Sequence, residues 1–115
     1  MGLDNYAARS PDEGLTDEDL AAFEAADIHL GQGPDGFRGK LYQELISDVT
    51  GVSLYEEWIP PEMVRQMWVA LEQCDPEEVT KDRFYEASST PSAVTELRKF
   101  FRVCVERHLG LISSW

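Results

Sequence analysis

Proline placement constrains this chain more than any other feature of it. Pro61 follows the boundary residue Pro60, and the pairs Asp75-Pro76 and Thr90-Pro91 each set a capping side chain before a proline. Proline's fixed φ and missing N–H suit the first turn of a helix and disrupt its interior. Three helix starts are therefore marked in the second half of the chain, at 61, 76 and 91.

Apolar spacing says what those starts lead into. Val64, Met67, Trp68, Leu71 and Cys74 fall on one stripe, predicting a helix over about 61–74. A short helix follows from Pro76 through Val79, then a loop over 86–89. Val94, Leu97, Phe101, Cys104 and His108 share one face of a long last helix ending at Gly110. Upstream, Thr16 and Asp19 resemble a capping box, with Asp17-Glu18-Asp19 where the helix dipole favours negative charge. That first helix, about 17–27, would bury Leu20, Phe23 and Ala26, with Ile28 closing the patch. Phe37, Leu41, Leu45, Ile46 and Val49 recur at helical spacing, predicting a second helix over about 38–50 that stops at Gly51. Between them Gly31, Gly33, Pro34 and Gly36 force a loop.

Residues 52–59 alternate too poorly for a strand and are short for a helix, so both assignments stay open. The apolar tail 111–115 is expected to dock on the rest. The reading is mainly α: one compact domain over 1–115, about four to five helices and a Gly-rich loop near 31–39. The first 15 residues are expected to be extended or loosely ordered. Its central core is expected from Val64, Met67, Trp68, Leu71, Leu97, Phe101 and Cys104.

Composition narrows the function classes. The 115 residues carry 22 acidic against 10 basic side chains, a formal net charge of −12. Phosphate-backbone binding is driven by Lys and Arg, so direct nucleic-acid binding is not expected. Docking on anionic membranes is disfavoured for the same reason. No apolar run approaches the roughly 18 residues of a membrane span, and the first residues lack the basic start and apolar run of a signal peptide. The expected compartment is the cytoplasm, with Cys74 and Cys104 as reduced, buried thiols.

Motifs for chemistry fail on inspection. Gly31-Gln32-Gly33-Pro34-Asp35-Gly36 spells G-x-G-x-x-G, but no buried strand is expected before it. Pro34 also removes a backbone donor, and Asp35 would face any phosphate. A calcium loop from Asp27 would put Gln32 where glycine is needed and Arg38 where glutamate is needed. Cys104 and His108 share a helix face, and Cys74 and His29 could complete four zinc ligands, yet Cys104 continues an apolar stripe. No cofactor, metal or catalytic residue is assigned.

Two function classes remain. Residues 1–36 hold nine acidic groups against Arg9 alone, a net of −8. That skew points to a non-enzymatic protein-binding or regulatory module, such as an inhibitor, immunity factor or adaptor, with a basic partner. Asp17, Glu18, Asp19 and Glu24 are the expected contact residues. The alternative is a small enzyme or ligand-binding domain with its site near Glu56, Glu57, Trp58 and the 31–39 loop. A basic strip on the last helix, Arg98, Lys99, Arg102 and Arg107, is expected to pair with the acidic N-terminal third.

Overall fold

The helices start on the caps that the sequence supplies. The structure, a computed structural model, describes residues 2–30, 33–81 and 90–114. Gly31, Gln32, the expected loop 86–89 and Trp115 lie outside them. Helix α1, Asp17–Ala25, opens on a full capping box: the Asp19 N–H donates to Thr16 Oγ1 (3.1 Å), and the Thr16 N–H donates to Asp19 Oδ2 (3.0 Å). Helix α2, Gly39–Thr50, ends at Gly51, whose φ of 76° is the left-handed conformation that stops a helix cheaply only at glycine. Helices α3 (Pro61–Gln73), α4 (Pro76–Thr80) and α5 (Pro91–Arg107) each carry proline in the first turn. The α5 helix ends before Gly110 because His108 already turns left-handed, φ 61°, and the Leu109 N–H reaches back to the Cys104 carbonyl (2.8 Å).

That turn delivers the chain into a strand, and here the mainly α reading is corrected to a mixed fold. Among the described residues, five helices pack with a four-stranded antiparallel sheet in one globule. Its strands are β1 (Asp4–Ala8), β2 (Gly36–Phe37), β3 (Trp58–Ile59) and β4 (Gly110–Ser114), in the order β2-β1-β4-β3. Segment 4–8 is thus a central strand, and the docking tail is its neighbour, paired from Asp4↔Ser114 to Ala8↔Gly110. The ambiguous 52–59 stretch resolves into turns and the two-residue edge strand β3.

Alternation along the strands gives the sheet two faces. Asn5, Ala7, Phe37, Ile59 and Leu111 point inward and are buried against the helices. The core's largest side chains surround Phe100. Its ring centroid lies 5.1 Å from Phe23 and 5.1 Å from Phe37, and 6.0 Å from Phe101. Six of the seven expected core residues are buried: Val64, Met67, Leu71, Leu97, Phe101 and Cys104. Trp68 is corrected to the core's margin, where it is only partly buried. On α2, Leu41 is 46% exposed, and the core contact of that turn is made by Tyr42 against Phe37.

Arg98 fastens the two longest helices. Its Nε donates to the Leu71 carbonyl (2.7 Å) and its Nη2 to the Cys74 carbonyl (2.6 Å), satisfying orphan acceptors at the C-terminal end of α3.

Candidate functional site

The acidic N-terminal segment divides into one buried carboxylate and a set of exposed ones. Asp19 is fully buried. Besides its cap bond it accepts from Arg9 Nε and Nη2 (both 2.8 Å) and from Arg107 Nε (2.9 Å). Burial alone would push this carboxyl up, but the Thr16 N–H and the two guanidiniums outweigh it and hold the pKa at about 2 instead of 3.8. Asp19 is therefore an internal clasp joining the end of β1, the start of α1 and the end of α5. Of the expected contact residues, Asp17, Glu18 and Glu24 are exposed, as are Asp12, Glu13 and Asp27.

The basic strip on α5 is only partly committed to the acidic third. Arg107 meets Asp19 and, at 3.8 Å, Glu18. Lys99 donates to the Asp27 carbonyl (3.4 Å) but also pairs with Glu96 (3.1 Å) on its own helix. Arg102 pairs with Glu106 (3.5 Å), and Arg98 serves α3.

The outer face of the sheet carries a second arrangement. In register, Gly36, Tyr6, Ile112 and Trp58 form one row across all four strands. The Tyr6 ring lies against Gly36 and the Trp58 indole against Gly110, where in each case any side chain would collide with the ring. Tyr6, Ile112 and Trp58 are each only partly buried. Beside them opens a groove of about 710 Å³, lined by Pro11, Glu57, Trp58, Ile112, Ser113 and Ser114. Pro11 belongs to the turn closed by the Ser10↔Glu13 bridge, so the groove's rim runs directly into the acidic segment.

This placement splits the alternative site of the sequence reading. Glu57 and Trp58 do share a groove, while Glu56 and Trp58 line a smaller hollow of about 370 Å³ that runs to Met63. The described part of the 31–39 loop lies elsewhere. It forms β2 at the opposite edge, separated from β3 by β1 and β4. At a strand spacing of about 4.8 Å, the two edges stand roughly 14 Å apart. Tyr42, Tyr55, Trp58 and Trp68, which flank Pro60-Pro61 in sequence, do not line one groove. Tyr42 is in the core, Trp68 lies at its margin, Tyr55 is 48% exposed, and Trp58 stands on the sheet.

Comparison with known proteins finds no match: no family model matches the chain, and no curated protein or solved structure is significantly similar to it. The reading therefore rests on the residues themselves.

Among the described residues, no three His, Cys, Asp or Glu side chains gather as metal ligands would. His29 is exposed and pairs with Asp27 (3.1 Å), far in character from the buried Cys104. Burial pushes the Cys104 thiol up, well beyond the usual thiol range. Both cysteines are free, but Cys74 is only half-buried, its Sγ donating to the Leu71 carbonyl (3.2 Å). A thiol reagent is expected to label Cys74 first and Cys104 only at the rate of global unfolding. Equal labelling of both under native conditions, followed by mass spectrometry of the peptides, would show that Cys104 is not sealed in the core.

Sequence reasoning missed the clasp and the row on the sheet. Arg9 was the available signal for the first: a lone cation among nine carboxylates has reason to be held by one of them. For the second, residues of four separate strands meet, and no local spacing announces them.

Proposed function

We propose that this chain is a non-enzymatic protein-binding module that attracts a basic partner through the exposed carboxylates of its N-terminal third. One observation carries the reading. Asp12, Glu13, Asp17, Glu18, Glu24 and Asp27 all face solvent, whereas Asp19 is turned inward. An excess of exposed carboxylates raises the encounter rate with a basic surface and selects against acidic ones. No membrane role is proposed: among the described residues no helix is long and apolar enough to cross a bilayer.

The test uses a partner captured from the source cell and purified, with kinetics measured at several salt concentrations. The variant is Asp17→Asn, Glu18→Gln and Glu24→Gln together, leaving Asp19 intact because its removal would disturb the fold. The association rate is expected to fall by roughly tenfold or more in the variant, and to fall steeply as the Debye length shrinks to about 8 Å at physiological salt. An association rate indifferent to both changes would refute the electrostatic reading.

A further inference from the structure

Electrostatic attraction brings partners together but leaves affinity to a few buried anchors. The exposed carboxylates of α1 supply the first and not the second. We infer that the groove on the outer sheet face, between Trp58, Ile112 and Pro11, is the anchor site, and that it takes the arginine or lysine side chain of an extended basic segment of the partner. This inference rests on the binding-module reading and names the place where that partner is held.

Three features of the groove fit such an occupant. Its floor is aromatic and aliphatic: the Trp58 indole is fixed against Gly110, with Ile112 beside it in register. A cation over an indole is favoured by the ring's negative face, and the aliphatic stem of Arg or Lys packs well on such a surface. Its wall is acidic, because the exposed Glu57 lines it. Asp4 adds a further carboxylate on the same face, paired in the ladder with Ser114 of the groove. Its shape is open, as a segment laid across a sheet requires.

Charge also selects against other occupants. A second copy of this chain would bring another −12 to an already acidic face. Nucleic acid would bring phosphates against Glu57. A cationic peptide is the occupant that neutralises the wall while covering the apolar floor.

The experiment uses the full chain and a defined probe, a hexapeptide alternating arginine and valine with blocked ends. A second peptide carries glutamate in place of each arginine. Titrations are followed by amide and indole resonances, with the Trp58 indole N–H assigned by its loss in Trp58→Phe. The expected result is a shift of the Trp58 indole and of the Ile112 and Ser114 amides with the arginine peptide and not with the glutamate peptide. Affinity is expected to drop about tenfold in Trp58→Leu, and by a similar factor in Glu57→Lys. Glu57 is exposed, so its variant keeps the test valid if Trp58→Leu does not fold.

The failures are distinct. Shifts confined to Asp17, Glu18 and Glu24, with the Trp58 indole unmoved, would overturn the anchor and leave the acidic-helix reading standing. Undiminished affinity in Glu57→Lys would also overturn the anchor. Absence of any binding at millimolar peptide, or equal binding of the glutamate peptide, would count against both.

Discussion

Phe100→Ala is expected to destabilise the protein by about 3–5 kcal/mol, the usual cost of deleting a buried aromatic ring. The ring is fully buried and lies against three other aromatics, two of them from other elements. Phe23 comes from α1, Phe37 from β2, and Phe101 from the next position of α5. Edge-to-face packing, such as its 86° contact with Phe37, adds to the area buried. Because Phe23 and Phe37 belong to two other elements, no small local shift can close the cavity that alanine would leave. Trp68→Ala provides the internal comparison. Trp68 is the larger side chain, yet it sits partly buried at the margin of the core, so its loss is expected to cost less. Denaturant unfolding of the two variants orders them directly. A Trp68→Ala penalty equal to or above that of Phe100→Ala would mean that the centre of the core has been misplaced.

The difference between those residues also shows what the sequence could and could not reveal. Helices were legible because their starts and stops are local chemistry. Thr16, Asp75 and Thr90 accept the cap bonds, prolines follow two of them, and Gly51 takes a positive φ. Phe100 was missed because α5 was read as having one buried stripe. In the fold α5 packs against α3, α4 and α1, and Phe100 and Val103 are buried along with the stripe. The sheet was illegible for a different reason. Its edge strands have two residues each, too few for any alternation to register. Its central pair joins segments from the two ends of the chain, and β1 reads Asp-Asn-Tyr-Ala-Ala, with no β-branched residue. The candidate site divides along the same line. Acidic skew is a property of composition and could be counted, but the row Tyr6–Ile112–Trp58 exists only once three strands are in register.

Asp19→Asn is expected to destabilise the fold by about 3 kcal/mol, within the range seen when one partner of a buried ion pair is removed. The carboxylate accepts from the Thr16 N–H and from two arginines, and asparagine can offer only one acceptor oxygen to them. Arg9 and Arg107 are each about one-third exposed on the side chain, so water relieves part of the loss. The same group sets an acid limit. Its pKa falls from 3.8 to about 2 on folding, so the unfolded chain binds the proton more readily than the native one. The clasp's stabilisation is therefore complete above the unfolded value and is lost as pH drops through about 2. Native Tm should accordingly fall between about pH 4 and pH 2, and Asp19→Asn should flatten that part of the profile while lowering Tm at neutral pH. Thermal melts of the two proteins across that interval decide the matter. A variant whose acid profile parallels the native one, merely offset, would show that other carboxylates carry the acid sensitivity and that Asp19 contributes shape without charge. If the profile flattens, the acid sensitivity belongs to the inward-turned Asp19, and the exposed carboxylates of the same segment can change without moving it.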